Sequence, residues 1–423
     1  MDSTDTAPDR TEAGRADRRL GRRALLGAAG LGVVGAGTAA VAGLRTGGAP
    51  PVRARTVAFH GRHQAGILHP RQAHARLAAF DFGARTDRGR AAALLLRWST
   101  AAERLTRGEP VGEELSPPGS RAADTGSALG AGPASLTLTF GLGASFFDRV
   151  ALASARPEAL APLPAFPDDQ LDPARGGGDL FVQIAADDPL VTVHALRTLQ
   201  RLAHGEATLR WTMAGFTSAP EGSSAGGAHR NLMGHLDGTA NPDPADPAAR
   251  ARIVVSDPSA PAWLAGGSYL VVRRIRMLLD HWDTLPRDHR DQAIGRRTAD
   301  GTPLTGGTET TPADLGAARP DGVPVIATNA HIRLAAPATT GGATMLRRGW
   351  SYHDGLRPDG APDAGMLFLA WQRDPRTGFV PVQHRLARGD ALARYVVHEA
   401  SSLFVAPAGA APGTYVGQAL LEG

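Results

Sequence analysis

Residues 180–205 read LFVQIAADDPLVTVHALRTLQRLAHG, and this stretch decides the fold class. It begins with an apolar, β-prone run, as in a buried strand. Asp188 and Pro189 then form a typical helix N-cap and first turn, and Gly205 follows where such a helix would end. Between them, apolar side chains recur at helical spacing, at Leu190, Val193, Leu196, Leu199 and Leu202. A strand leading directly into an amphipathic helix predicts a sheet with helices packed on it.

The same alternation of strands and helices continues on both sides of this stretch. Upstream, residues 135–141 (SLTLTFG) alternate strictly, which predicts a half-buried strand, and residues 87–105 carry a helical apolar stripe. Downstream, residues 268–277 (SYLVVRRIRM) and 365–372 (GMLFLAWQ) predict strands. The remaining downstream patterns predict an edge strand at 403–406 and helices near 277–285, 380–386 and 390–398. Each half is therefore expected to be an α+β sandwich, a sheet with helices on one face.

A linker-like segment separates the two halves. Residues 217–228 (TSAPEGSSAGGA) combine small and polar residues with Gly and Pro. The chain of 423 residues is long enough for two domains of ordinary size, each with its own core. We therefore predict one domain at 44–222 and a second at 223–423.

Residues 1–43 have the pattern of a targeting segment. A polar stretch ends in Arg22-Arg23, an uncharged run of mostly Ala, Gly and Val follows, and residues 40–42 (AVA) suit a cleavage site. The run is also about long enough for a membrane anchor, but its Gly content and the cleavage site argue against one. Residues 21–26 (GRRALL) look like a twin-arginine signal, which exports folded proteins, often with a cofactor inserted. This predicts a periplasmic, extracellular or cell-surface protein that meets the membrane only during export.

The composition restricts the possible chemistry. The chain has no Cys, so disulfides, thiolate metal sites, iron–sulfur clusters and cysteine nucleophiles are excluded. A transition metal must be bound through His, carboxylate, Tyr or Met, or within a cofactor that brings its own ligands. The 45 basic residues are interleaved with 41 acidic ones, which argues against a nucleic-acid partner.

Three segments contain candidate functional residues. His331 lies in NAHIRLAAP (329–337), at the start of a segment expected to be extended, and from local sequence a capping or core role is as reasonable as a ligand role. Asp237 lies in GHLDGTANP (234–242), where nearby glycines let the backbone approach a flat ligand, although Asp-Gly is also a common turn. In MLRRGWSY (345–352), apolar residues lead into Arg347 and Arg348, which indicates that at least one Arg starts in a buried setting, the alternative being a strand end with exposed Arg.

Taken together and in this order, the segments resemble the dye-decolourising peroxidase family. The likeness is to its exported subfamily from bacterial iron-uptake operons, whose members are also described as deferrochelatases. Residues 59–67 (FHGRHQAGI), 294–296 (IGR) and 379–383 (FVPVQ) add to the resemblance, which covers nearly the whole chain after the leader. The chain departs from the family pattern at Ala336, where Asn is usual, and at His235-Leu236, where a larger aromatic or basic pair is frequent.

The resemblance implies two ferredoxin-like halves, with haem b held mainly by the second half. His331 would be the iron ligand, supported from behind by Asp390 or, alternatively, Glu399. Asp237 would move the peroxide proton as general base and then acid, and Arg347, chosen over Arg348 by register, would stabilise charge on the leaving oxygen. The residues implied to contact the cofactor are His331, Gly238, Thr239, Ala240, Asn241, Arg296, Arg333, Ala336, Pro337, Arg347 and Asp390.

The implied reaction is reduction of hydrogen peroxide with one-electron oxidation of organic donors such as dyes, phenols and porphyrins. Release of iron from haem, partners from an iron-uptake operon and a homo-oligomer are further candidates that the resemblance raises. Because an ionised carboxylate donates protons poorly near neutral pH, Asp237 as acid–base catalyst implies an acidic optimum. For Trp350, Tyr352 and Trp371, core packing is favoured over electron relay.

Two rival functions remain open on the sequence. A haem-binding, iron-extracting protein without a major peroxidase role would share His331 but would not need Asp237. An exported substrate-binding protein or hydrolase would need no haem. The absence of Cys weakens this alternative, and so does the absence of a G-x-S-x-G nucleophile elbow, since the one match (GSSAG, 222–226) lies in the linker-like segment.

Overall fold

The first half of the chain forms a βαββαβ unit. The computed structural model describes residues 54–116, 124–217 and 228–423. In the first half, the elements are α1 (Ala65–Leu68), β1 (His74–Phe82), α2 (Arg88–Thr106), β2 (Thr137–Leu142), α3 (Ala144–Arg149), β3 (Leu180–Ala186), α4 (Pro189–Leu202) and β4 (Ala207–Phe216). The strands lie antiparallel in the order β4-β1-β3-β2, the arrangement of a ferredoxin-like sheet.

The second half repeats this arrangement after a small hairpin. Its elements are β5 (His229–Arg230), β6 (Leu236–Asp237), α5 (Pro247–Ile253), β7 (Ser268–Met277), α6 (Leu279–Asp283), α7 (Arg287–Ile294), α8 (His331–Leu334), β8 (Leu346–Leu356), β9 (Pro362–Gln372), α9 (Phe379–Leu386), β10 (Val396–Ala406) and α10 (Gln418–Leu421). The long strands are ordered β8-β9-β7-β10, which is again the ferredoxin-like order. The predicted α+β class is therefore confirmed in both halves.

The two sheets join edge to edge into one closed barrel of eight strands. Leu142 of β2 pairs with Val405 of β10, and Phe216 of β4 pairs with Ser351 of β8. The prediction of an edge strand at 403–406 was wrong, because this segment belongs to β10 and lies between β2 and β7. Each of the eight strands therefore has a neighbour on both sides, with a single residue pair at each of the two junctions.

Most local predictions for the helices hold. Asp87 caps α2 by accepting from Arg90 N at 2.8 Å, and Asp188 caps α4 by accepting from Leu190 N at 2.8 Å. The predicted apolar stripe of α4 needs one correction. Leu190, in the first turn of the helix, is 46% exposed and does not belong to the buried face. Helices α2 and α4 cover the outer face of the first sheet, where Trp98 and Leu199 belong to one apolar core.

The inside of the barrel buries the second face of the strands. In β2 the predicted half-buried pattern was wrong, since Thr137 and Thr139 are buried as well. Helix α1 packs on this inner face. Gln72, in the loop between α1 and β1, donates to Thr137 Oγ1 at 3.0 Å. Trp350, Tyr352 and Trp371 are fully buried in the barrel core, as their packing role required.

Residues 390–398 do not form the predicted α-helix. Asp390 caps a short 3₁₀ helix, Ala391–Tyr395, by accepting from Leu392 N at 2.9 Å. Strand β10 then begins at Val396, because pairing with Met277 of β7 extends the backbone. Tertiary pairing therefore overrides the local helical pattern.

The leader and the domain boundary are only partly covered by the structure. The twin-arginine segment at 1–43 lies outside the described residues, as do residues 218–227 of the linker. The division into 44–222 and 223–423 stays a prediction. Within the described residues, no helix is both long and apolar enough to cross a bilayer.

Candidate active site

A largely apolar cavity lies on the outer face of the second sheet. Side chains alternate along strands, so Ile275 and Met277 of β7 and Met366 and Phe368 of β9 face outward while their neighbours fill the barrel. Helices α7, α8 and α9 complete the walls with Ile294, Ile332, Phe379, Val382 and Leu386. Apart from Pro167 and Asp168, all wall residues come from the second half of the chain. An apolar cavity with a few convergent polar groups is typical of a ligand site.

His331 faces this cavity with a carboxylate behind it. Its Nδ1 lies 2.6 Å from Oδ2 of Asp390, and Asp390 is itself buried. Burial by itself would lower the pKa of His331, but the charge and hydrogen bond of Asp390 outweigh it and raise that pKa. Glu399, the alternative partner, is instead bound by Arg276 at 2.7 Å and Arg357 at 3.2 Å. Nε2 of His331 has no hydrogen-bond partner among the described residues and remains available to a ligand.

The segment after His331 is helical, not extended as predicted. Helix α8 begins at His331, so Ile332 and Ala335 share its cavity side. Arg333 points away and donates to the carbonyls of Ile326 at 2.6 Å and Ala327 at 3.1 Å. Arg333, Ala336 and Pro337 do not line the cavity, and their implied contacts with the cofactor stay predictions.

Asp237 is placed by the β5–β6 hairpin. It lies opposite His229 in the hairpin and directly precedes Gly238, whose φ of +98° is a left-handed conformation that favours Gly. The Asp237 carboxylate reaches over Gly349 of β8: a methyl group placed on Gly349 would lie 3.3 Å from Oδ2 of Asp237. The sequence left open whether Asp237 faces a ligand site or only forms an Asp-Gly turn. In the structure Asp237 lines the cavity and also precedes the left-handed Gly238.

Arg347 enters the cavity and Arg348 enters the barrel. Arg347 lines the cavity, whereas Arg348 is buried and donates to Ile67 O at 3.0 Å. Asn241 Oδ1 accepts from Arg347 N at 3.1 Å and from its Nε at 3.2 Å, and Thr239 O accepts from Nη2 at 2.7 Å. These contacts fix the guanidinium, while Nη1 has no partner among the residues that the structure describes.

The remaining implied contacts divide into two groups. Gly238, Thr239 and Arg296 line the cavity, with Arg296 Nη1 held by Gly301 O at 2.8 Å and Glu309 O at 2.7 Å. Ala240 is exposed, has a φ of +61° and does not line the cavity, so its implied contact with the cofactor stays a prediction. Asn241 is also outside the wall and bonds Arg347, and its implied contact with the cofactor stays a prediction.

Sequence reasoning missed several polar groups at this site. Arg71, in the loop before β1, donates to Nδ1 of His229, which places an arginine of the first half behind the Asp237 hairpin. Burial, together with the charge of Arg71, lowers the pKa of His229 to about 4. Arg273 and His398 also line the cavity. Nothing in the local sequence distinguishes these residues from surface Arg and His, since only strand pairing brings them here.

The possible metal ligands in the cavity suit a metal that is bound within a cofactor. Across residues 54–116, 124–217 and 228–423, no group of three or more His, Asp or Glu is arranged to hold a metal ion by itself. A single available imidazole in an apolar cavity can complete the coordination of a metal whose other ligands belong to a flat macrocycle. The residues present therefore fit haem.

Comparison with known proteins agrees with this site. Residues 64–217 match the family model of the Dyp-type peroxidase N-terminal region, and residues 228–411 match that of the C-terminal region. The chain is 44% identical over 370 residues to a dye-decolorizing peroxidase of Thermobifida fusca, covering 85% of this chain and 84% of that protein. It is 37% identical over 383 residues to a deferrochelatase of Escherichia coli K12, covering 88% and 89% of the two chains.

A solved structure gives the same result. Ferric DtpA from Streptomyces lividans matches with a TM-score of 0.83 at 52% identity, over 89% of this chain and 100% of that one. Both halves of the chain match the family models, and the relatives are similar to it over most of its length. The chain belongs to the Dyp-type peroxidase family, and the fold class, the peroxidase activity and the haem cofactor predicted from its sequence are confirmed.

Proposed function

We propose that His331, Asp237 and Arg347 perform the chemistry of this peroxidase. The observation that supports the proposal is that one apolar cavity brings together a carboxylate-bound His, a second carboxylate and a fixed Arg. Hydrogen peroxide and an organic electron donor, such as a dye, a phenol or a porphyrin, are the substrates.

His331 holds the cofactor, which we propose is haem b. With its Nδ1 proton donated to Asp390, the ring presents Nε2 as the ligand atom, and the carboxylate fixes the tautomer and raises ligand basicity. When bound, haem would supply the iron at which the O–O bond of peroxide is broken, and it would store the two oxidising equivalents that donors then reduce one electron at a time.

Asp237 and Arg347 act on the two peroxide oxygens. A carboxylate oxygen of Asp237 accepts the proton that peroxide loses and returns it to the departing oxygen, a contribution of about 10²–10⁴ in rate. Arg347, held through Nε and Nη2, directs its remaining N–H groups at that oxygen and stabilises the negative charge on it. The apolar walls exclude water and strengthen both interactions.

Other residues assist from the cavity wall or from behind it. We propose that Gly238, Thr239 and Arg296 contact the cofactor, because they line the cavity next to Asp237. Asn241 positions Arg347, and Asp390 positions His331.

We also propose that residues 1–43 direct export by the twin-arginine route to the periplasm or the cell surface. Support comes from the GRRALL segment and from a cofactor that must be inserted before export. We further propose that the chain divides into two domains at residue 222. We also propose that the protein self-associates and cooperates with other iron-uptake proteins. Arg22→Lys together with Arg23→Lys should leave the protein in the cytoplasm, and normal export of that variant would contradict the route.

A second candidate activity is release of iron from haem. The observation that favours it is the 37% identity to a protein named deferrochelatase. Incubating the holoenzyme under reducing conditions without peroxide should then yield metal-free porphyrin, which fluoresces. Fluorescence that stays at the level of free haem would reject this activity and leave the peroxidase assignment untouched.

The proposed roles are tested by Asp237→Asn. This variant should keep a normal Soret band but react with peroxide about 10²–10⁴ times more slowly, because the amide cannot accept the proton. Stopped-flow absorption of the purified holoenzyme measures both quantities. An unchanged peroxide rate constant would remove Asp237 from the mechanism, and wild-type protein without a Soret band after haem supplementation would reject the whole proposal.

A further inference from the structure

A buried arginine lies at one end of the cavity, among residues that the peroxide chemistry does not use. Arg273 of β7 is 1% exposed, and its guanidinium lies 5.5 Å from the ring centre of Phe166 and 5.8 Å from that of Phe379. Its Nη2 donates to Oδ1 of Asp169. Burial lowers the pKa of Arg273, and the charge of Asp169 acts against that effect, so the cation is held by one carboxylate and two aromatic faces.

This arginine and a neighbouring histidine keep unused hydrogen-bonding atoms. Within the described part of the chain, Nε and Nη1 of Arg273 and Nδ1 of His398 are buried without a partner. Both residues line the cavity. Leaving such atoms unpaired destabilises the folded protein, and more strongly for a charged group. Their placement indicates that a hydrogen-bond acceptor belongs between them.

The same end of the cavity opens to solvent. Asp168, beside Asp169, and Pro167 are exposed and also form part of the cavity wall. A ligand can therefore reach Arg273 from outside along the loop that carries these residues. Asp237 and Arg347 have partners other than those of Arg273, namely the β5–β6 hairpin for Asp237, and Thr239 and Asn241 for Arg347.

We propose that Arg273, with His398 beside it, binds a carboxylate at this end of the cavity. The guanidinium offers the N–H groups of two unpartnered nitrogens, Nε and Nη1, and charge-assisted bonds of this kind are about twice as strong as neutral ones. The proposal rests on the proposed function, since the cavity is that of the haem, and it names the chemical class that this end recognises. The carboxylate has two possible sources: a propionate of the porphyrin or the acid group of an aromatic electron donor.

Two variants change the site in opposite directions. Asp169→Asn removes the competing carboxylate and keeps every donor of Arg273, so carboxylate binding should become tighter. The double variant Arg273→Met with Asp169→Asn removes the ion pair as a unit, so that no charge is buried alone. If that protein does not fold, Arg273→Lys, which keeps the charge but loses the planar set of donors, should weaken carboxylate binding instead.

The first arm tests an acid group from solution. Calorimetry of the holoenzymes with benzoate, which carries the carboxylate but is a poor donor, should show at least tenfold weaker binding in the double variant and tighter binding in Asp169→Asn. Benzamide, the uncharged control, should bind all three proteins equally. The second arm measures the rate at which haem or its dimethyl ester passes from each holoenzyme to apomyoglobin. Loss of haem that is at least tenfold faster in the double variant, with no change for the ester, identifies a propionate as the ligand.

A change in either arm supports the carboxylate site and identifies its source. Benzoate affinity within twofold of wild type in every variant, together with equal effects on haem and its ester, would overturn the proposal. That failure differs from failure of the proposed function, which is decided by the Soret band of the wild type and by Asp237→Asn, and both of those proteins keep Arg273.

Discussion

At the scale of single residues, the site depends on side chains held by a second residue. His331 is oriented by Asp390 at 2.6 Å, and Arg347 by the amide of Asn241. In both cases the partner is distant in sequence: 59 positions separate His331 from Asp390 and 106 separate Arg347 from Asn241. Without these partners the two side chains could adopt other rotamers, so Asp390 and Asn241 contribute to the geometry of the proposed site.

Asp390→Asn should weaken the hold on haem without removing the ligand. An amide is a weaker acceptor for the Nδ1 proton than a carboxylate, so His331 becomes a poorer donor to iron. We expect haem loss to speed up about 10–100-fold and the ferric/ferrous reduction potential to rise, measured by transfer to apomyoglobin and by spectroelectrochemistry. Glu399→Gln is the matched control, because Glu399 contacts Arg276 and Arg357 instead. An equal rise in potential in both variants would contradict the role of Asp390.

Asn241→Ala should act through Arg347. Loss of the amide leaves the guanidinium held only by Thr239 O, so the peroxide rate constant should fall about tenfold or more while haem content stays normal. Stopped-flow absorption measures the rate, and Asn241→Asp, which keeps the acceptor, should recover part of it. A normal rate in Asn241→Ala would show that Arg347 needs no positioning.

At the scale of secondary-structure elements, alternation along β8 distributes two adjacent arginines between two environments. Arg347 reaches the cavity and Arg348 the barrel, and Gly349 leaves room for the Asp237 carboxylate. Helix α8 works in a comparable way, since its first turn turns His331 toward the cavity and Arg333 away from it. The elements therefore select which of several similar side chains becomes functional.

The packing of α1 inside the barrel requires a glycine at position 66, and this requirement can be tested. A methyl group on Gly66 would lie 2.1 Å from Oγ1 of Thr139 and 3.0 Å from Nε2 of Gln183. Gly66→Ala should therefore destabilise the protein by about 1–3 kcal/mol, measured by urea unfolding. Combining it with Thr139→Ala should recover part of the loss.

The same substitution elsewhere gives the control. Gly89 lies in α2 and is exposed, and its nearest neighbouring atom is Asp87 Oδ1 at 3.5 Å from the added methyl group. Gly89→Ala should raise the free energy of unfolding by about 0.4–1 kcal/mol through helix propensity and a less flexible unfolded chain. Equal effects at Gly66 and Gly89 would show that the contact with Thr139 is unimportant.

At the scale of the whole molecule, the protein buries neutral histidines around its active site. His229 and His235 are 2% and 3% exposed. Burial lowers the pKa of each to about 4, helped by Arg71 at His229 and opposed by Asp291 at His235. The folded protein therefore excludes protons that the unfolded chain accepts between about pH 6.5 and pH 4.

Stability should consequently fall with acidification. Each of these histidines has a lower pKa folded than unfolded, so its contribution is complete above about pH 6.5 and declines toward pH 4, by on the order of 1–3 kcal/mol per residue. Urea unfolding at pH 7.5 and 4.5 should show a smaller loss in His235→Asn than in the wild type, with His353→Asn at an exposed position as the control. A loss as large in His235→Asn as in wild type would exclude this cause. The acidic optimum implied for the reaction would then be limited from below by unfolding.

Local features of this protein could be predicted from short stretches of its sequence, whereas the long-range features depend on how distant segments pack together. Periodicity and capping depend on near neighbours, so β7, α4 with its cap Asp188 and the α+β class were predictable, and the family resemblance pointed to His331, Asp237 and Arg347. The choice of Asp390 over Glu399, the helical turn at His331, the closure of β10 into a barrel and the cavity end at Arg273 depend on strand pairing between distant segments. Such pairing is set by packing across the whole molecule, which no short stretch of sequence contains.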